Sequence, residues 1–174
     1  LSYARREGFL LFFLDGAGIR IKEGQNDMVY NNYFNTGNYF SIRLENYRVD
    51  PLRNILIAHN TLVGSGPVRL GGKGDFPPEE VVICNNLFSN PTAKILDDLT
   101  GRESIAGNYT TKPPEEKGFT LLDKLLASDD YGFIRPEKTL APVKIPREAI
   151  TDIPEMDDDP YILLDIAKNK REKK

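Results

Sequence analysis

Apolar and polar residues alternate along the first two thirds of the chain in a pattern that recurs. Four segments carry an apolar run ending in Asn followed by an aromatic, Thr or Leu: Met28 to Phe34 (MVYNNYF), Ile55 to Val63 (ILIAHNTLV), Val81 to Phe88 (VVICNNLF) and Ser104 to Tyr109 (SIAGNY). The reference asparagines, Asn32, Asn60, Asn86 and Asn108, are spaced by 28, 26 and 22 residues. A shorter signal lies out of phase with the first: Gly18-Ile19-Arg20-Ile21, Ser41-Ile42-Arg43-Leu44, Pro67-Val68-Arg69-Leu70 and, more loosely, Lys94-Ile95-Leu96. Each holds an apolar–polar–apolar triplet, the pattern of a half-buried strand. Gly, Pro, Asn and Asp separate the strands.

A repeat of this length with short strands and no helical segment is the signature of a solenoid. The expected fold is all-β, a right-handed parallel β-helix over residues 1–111 with an irregular cap over 112–174. Leucine-rich repeats share the period, but their leucine–asparagine consensus is absent. Each repeated Asn is expected at a corner between strands, where Asn tolerates a left-handed backbone and its amide can bond to its counterpart one coil away. Beyond residue 110 the pattern stops. Lys112 to Gly118 (KPPEEKG) reads as a linker or turn, Phe119 to Ser128 (FTLLDKLLAS) as a short amphipathic helix, and Pro136, Pro142, Pro146 and Pro154 as a bar to long regular elements. The basic stretch from Ala167 to Lys174 reads as a frayed tail.

Composition narrows the class. The chain has 174 residues and a net charge of −3, which suits one domain and argues against nucleic acid as a general partner. One cysteine, Cys84, permits neither a disulfide framework nor a cysteine zinc site. No run reaches membrane-spanning length. The apolar stretch Phe9 to Leu14 is too short for a signal peptide. The chain is expected to be the C-terminal part of something longer, with any targeting signal upstream.

The triplets give the first candidate chemistry. If their apolar members face the lumen, Arg20, Arg43 and Arg69 point outward on one face of successive coils. Three guanidinium groups in a row can hold the carboxylates or sulfates of an anionic polymer in bidentate contacts. Alternatively the row is relieved by ion pairs such as Lys22 with Glu45, since outward positions of a β-helix are expected to be polar in any case. Gly66 to Lys73 (GPVRLGGK) lacks the spacing of a phosphate loop, and Lys73 reads better as part of a groove edge. The asparagine set Asn32, Asn60, Asn86 and Asn108 is expected to be structural, which discounts the glycosylation pattern at Asn108-Tyr109-Thr110. His59, the single histidine, is a candidate base without a convincing partner. Asp157-Asp158-Asp159 lacks an ordered ligand spacing and reads as a solvated acidic loop, as does Asp97-Asp98.

Taken in order, these segments resemble a known family. GAGIRIKEGQNDMVYNNYF is similar to the GGIRI…VYNNYF coil of polysaccharide lyase family 6, which contains alginate lyases and chondroitinase B. NILIAHNTLVGSGPVRLGG, VVICNNLFSNP, ILDDLTGRESIAGNYT, a Leu-Leu-Asp stretch and YGFIRP follow in the family's order, so the resemblance covers residues 15–136. It implies β-elimination on a uronate-containing polysaccharide, alginate or dermatan/chondroitin sulfate. A base removes the C5 proton, a cation neutralises the carboxylate, and the C4–O bond breaks to leave an unsaturated uronate. It also implies calcium as cofactor, a lysine base, an arginine acid, and a secreted or periplasmic location.

The family's lysine lies two coils before the GGIRI-like coil. Its arginine lies one coil before, in a Leu-Arg-His-Gly type segment. Residues 1–15 contain neither, although Arg5 or Arg6 could imitate the arginine. The catalytic groups and calcium ligands are therefore expected upstream of residue 1, and an isolated chain is expected to be inactive. Only Arg20 carries over, as a subsite residue. The alternatives are a non-catalytic β-helix that binds acidic glycans or serves as an adhesin module, and a β-helix of another class, such as a pectate-lyase-like protein. On any of these readings the chain alone is expected to present an open N-terminal rung through which copies could associate.

Overall fold

The structure, a computed structural model, describes residues 5–6, 17–45, 52–71, 77–97, 100–101, 103–122, 126–128 and 134–136. It is an all-β parallel solenoid, and no helix occurs among the described residues. A coil of some two dozen residues cannot enclose a core by itself. Stacking lets each coil bury its apolar side chains against its neighbours and satisfy its backbone through theirs.

Three parallel sheets form the walls. The first contains β1 (Arg5–Arg6), β3 (Met28–Tyr30), β6 (Arg53–Ala58), β9 (Glu79–Cys84) and β12 (Glu103–Ala106) in that order. The second contains β4 (Tyr33–Phe34), β7 (Thr61–Val63), β10 (Leu87–Ser89), β13 (Asn108–Thr110) and β14 (Phe119–Leu121). The third contains β2 (Ala17–Ile21), β5 (Phe40–Leu44), β8 (Gly66–Leu70) and β11 (Leu96–Asp97). Separately, β15 (Leu126–Ser128) and β16 (Ile134–Pro136) form an antiparallel pair. The expected helix over Phe119 to Ser128 is thus replaced by strand at both of its described ends. β14 pairs in parallel with β13 and carries the stack past residue 111. The ring of Phe119 meets that of Phe88 edge-on, with centroids 5.5 Å apart. Half-buried Phe119 thus packs against the lumen cluster.

Inside the lumen, like stacks on like. Ile19, Ile42, Val68 and Leu96 form one column of the third sheet, and Val29, Ile57, Ile83 and Ile105 one of the first. Phe34, Leu62 and Phe88 form a third. Nearly all of these side chains are buried in one continuous cluster, each contributing about 1.5–3 kcal/mol of transfer free energy. The close fit also fixes a glycine: a Cβ at Gly66 would stand 2.4 Å from the Tyr39 carbonyl oxygen.

The first sheet is buried on its other face as well. Leu56, Ala58, Val82 and Cys84 point away from the lumen, yet are at most 1% exposed and form a second apolar cluster with Met28. This corrects the expectation that outward positions are polar. A strand buried on both faces needs an unbroken apolar run rather than an alternation, which is what ILIA (55–58) and VVIC (81–84) supply.

The corner between the first and second sheets is held by the asparagine ladder. The backbone N–H and Nδ2 of Asn32 both donate to Oδ1 of Asn60 at 3.0 Å. Asn60 donates likewise to Asn86, and Asn86 to Asn108. All four are buried. The left-handed conformation falls on the preceding residue instead: Asn31, His59 and Asn85 each have φ 56°, and Gly107 62°. Those residue types tolerate that region best. The ladder amides stay in ordinary backbone geometry and turn inward.

A second left-handed column was not foreseen. Asn26, Asn54 and Glu80 have φ of 63°, 53° and 54°, and Asn54 Nδ2 donates to Asn26 Oδ1 at 2.8 Å. Asn54 Oδ1 is buried without a hydrogen-bond donor among the described residues, because the next coil places exposed Glu80 at that position.

Two outcomes follow. Glu80→Asn relieves left-handed strain and brings an amide donor to Asn54 Oδ1, so it should stabilise the fold by about 1–2 kcal/mol in urea unfolding. Glu80→Gly, which supplies only backbone freedom, should gain less. Burial pushes the Cys84 thiol from 9.0 up to about 12. Its contribution to stability is therefore complete below pH 9.0 and is lost as pH climbs toward 12. At pH 8 a water-soluble disulfide reagent should label Cys84 only after the chain unfolds.

Candidate functional site: an arginine column on the third sheet

The third sheet brings the three arginines into one line. Arg20 is in register with Arg43, Arg43 with Arg69, and Arg69 with Asp97. Their neighbours in sequence are held in the lumen, so the guanidinium groups stand on the outer face. Parallel rungs are ~4.8 Å apart. At that spacing two bare cations repel by about 3 kcal/mol at an effective dielectric constant of 20. The sheet offsets this in three ways.

The first is Glu45. The backbone extends the pairing one residue past β5, with Glu45 N donating to Ile21 O and Gly71 N donating to Leu44 O, both at 2.9 Å. Glu45 therefore lies two positions from Arg43 and on the same face. Its side chain is only 2% exposed. Arg20 donates to its Oε2 through Nε at 3.0 Å and Nη2 at 2.6 Å, and Arg43 Nη2 contacts its Oε1. The sequence suggested Lys22 as the partner of Glu45; these contacts engage both carboxylate oxygens with arginine.

The second offset is Asp97, whose Oδ2 lies 3.5 Å from Arg69 Nη1. Read along the chain, Asp97 belonged to an acidic loop. β11 instead runs one residue later than the loose triplet Lys94-Ile95-Leu96 implied, with Leu96 over Val68, and this brings Asp97 into the column. The third offset is Phe40. The Cζ atoms of Arg43 and Arg69 each lie 5.2 Å from its ring centroid, where the ring quadrupole attracts both cations. Three guanidinium groups against two carboxylates leave the column one positive charge in excess. Arg20 is its most open member, at 39% exposure, against 24% for Arg43 and 25% for Arg69.

Other candidates fall elsewhere. His59 is half-buried at the left-handed corner between the first and second sheets, next to ladder residue Asn60. It is not on the arginine face. β1 pairs Arg5 with Met28 and Arg6 with Val29, so both belong to the first sheet rather than the column. Asn108 is fully buried within the ladder, which closes its glycosylation pattern to a transferase. Lys73, Asp98 and Asp157 to Asp159 lie outside the described residues. On the arginine face the carboxylates Glu45 and Asp97 are engaged by guanidinium groups, and no group of three or more His, Cys, Asp or Glu that could hold a metal ion occurs among the described residues. That donor set does not fit calcium. At the N-terminal side, β2 and β4 stand last in their sheets among the described residues.

Fold and site together define a class: a parallel β-solenoid with a column of arginines on the outer face of one sheet. Comparison with protein-family models, curated proteins and solved structures finds no match for this chain.

The column's internal contacts can be tested by stability. Phe40→Leu removes the ring shared by Arg43 and Arg69 while keeping an apolar side chain. It should lower the unfolding free energy by about 1–2 kcal/mol in urea titration. As a comparison outside the column, Arg53→Ala breaks the more exposed Arg53–Glu79 pair of the first sheet and should cost less than about 1 kcal/mol.

Proposed function

We propose that this chain binds a uronate-containing polysaccharide along the third sheet, as the subsite-bearing portion of a polysaccharide lyase acting by β-elimination. The observation that carries the reading is the in-register column of Arg20, Arg43 and Arg69. A polyuronate carries one carboxylate per sugar, so a line of forked donors at regular spacing can engage several of them at once. The ordered resemblance to polysaccharide lyase family 6 supplies the reaction class.

In such a reaction a base takes the proton from C5, the electron pair forms the C4–C5 double bond, and the C4–O bond breaks with the proton going to the leaving oxygen. The carboxylate beside C5 must be held and its charge offset while the enolate-like intermediate forms. Binding and orienting carboxylates is the role assigned to Arg20, Arg43 and Arg69. A polymer of this kind is met in the extracellular or periplasmic space, which is the location proposed.

A second reading uses the same face without the chemistry: a β-solenoid module that binds acidic glycans. Glu45, Asp97 and Phe40 favour it, because they account for a stable charged surface that requires no proton transfer.

Binding of alginate, followed by calorimetry, should weaken as salt is raised. A neutral glucan should not bind. Arg20→Ala should lower alginate affinity about tenfold, as expected for losing a charge-assisted hydrogen bond. Equal affinity for the neutral polymer, or an unchanged Arg20→Ala variant, removes Arg20 from a polysaccharide site. Release of unsaturated uronate by the chain alone, read by its ultraviolet absorbance, would overturn both the binding-module reading and the expectation that the isolated chain is inactive.

A further inference from the structure

We infer that Glu45 is the positioning residue of the arginine face: its buried carboxylate sets the orientation in which Arg20 and Arg43 meet an anionic ligand. This rests on the polysaccharide-binding reading above and deepens it.

Glu45 is out of place as a mere strand residue. On the adjacent coils its position is filled by Lys22 and Gly71, as the backbone pairing to Ile21 and Leu44 shows. The fold therefore tolerates a cation or no side chain there. A carboxylate buried to 2% exposure is costly to desolvate and persists only where its partners compensate it. Here each oxygen faces one arginine: Oε2 accepts hydrogen bonds from Nε and Nη2 of Arg20, and Oε1 forms an ion pair with Nη2 of Arg43.

The Arg20 contact is side-on. With the Nε–Nη2 edge turned toward Glu45, the Nη1 end of the guanidinium is directed away from it, in a side chain that is 39% exposed. Arg43 is fixed twice, by Glu45 and by the Phe40 ring. Each arginine loses rotamer freedom before ligand arrives, so less entropy is lost on binding. Glu45 does this at the expense of one positive charge, and that trade makes the idea testable.

The test is alginate-oligosaccharide affinity by calorimetry for the wild type, Glu45→Gln and Arg20→Lys, with melting curves for each. If Glu45 only dilutes the charge of the column, Glu45→Gln gains attraction for a polyanion and binds more tightly. If Glu45 positions the arginines, Glu45→Gln binds at least fivefold more weakly despite its extra positive charge. Arg20→Lys, which keeps the charge but loses the fork, then falls by a similar factor. Equal or tighter binding by a folded Glu45→Gln overturns the inference while leaving the polysaccharide reading intact. Should Glu45→Gln fail to fold, Glu45→Asp decides, because it keeps the charge and shortens the side chain: unchanged affinity overturns the inference, and a fivefold loss upholds it. A wild type that does not bind the oligosaccharide overturns the polysaccharide reading and the positioning role with it.

Discussion

In-register parallel stacking is the constraint on which everything else in this molecule depends. Each backbone N–H and C=O in a coil looks to the coil above or below, at a fixed repeat of ~4.8 Å. A residue is therefore placed on its counterpart one repeat away, whether or not the two side chains suit each other. For Ile on Ile in the lumen the result is a dense apolar column. For Asn on Asn it is a chain of amides, each Oδ1 accepting from the coil before. Both gain from repetition, so the same residue types return at the same positions.

The same constraint is a liability on the third sheet. Arg20, Arg43 and Arg69 are forced into line by their apolar neighbours, which must face the lumen. The register cannot be relaxed without turning Ile19, Ile42 and Val68 outward. The repulsion is met from within the face, by Glu45 between two arginines, Asp97 at the end of the column and the Phe40 ring beneath two guanidinium groups. The site is thus a consequence of the fold's geometry joined to a few residues that break the repeat. Glu45 stands where the neighbouring coils have Lys22 and Gly71; Asp97 stands where they have arginine. Chemistry on a repetitive scaffold is concentrated at such departures.

The three sheets also divide the work. The first is apolar on both faces and gives the solenoid its most deeply buried wall, with Cys84 held as an inert hydrophobe. The corner between the first and second sheets carries the ladder and one left-handed column, His59 within it. That histidine, chemically suggestive in isolation, serves a position where the backbone requires φ near +56°. The third sheet keeps one polar face and is where the arginines are displayed.

The asparagine spacing and the apolar triplets were enough to determine the solenoid and the outward row of arginines, because period and alternation are properties of the chain alone. Residue order left other matters open. It named Asn32, Asn60, Asn86 and Asn108 as the ladder but expected the left-handed backbone on those same residues, whereas the corner geometry gives it to the residue before each. It did not show that the first sheet buries its outer face, since an apolar run does not say what lies on either side of it. It did not give Arg20 its partner in Glu45, 25 residues away, or place Asp97 beside Arg69. Those contacts follow from which coil stacks on which and with what offset, and only the tertiary structure decides that, because the pairing energy is summed over whole rungs rather than carried by any one segment.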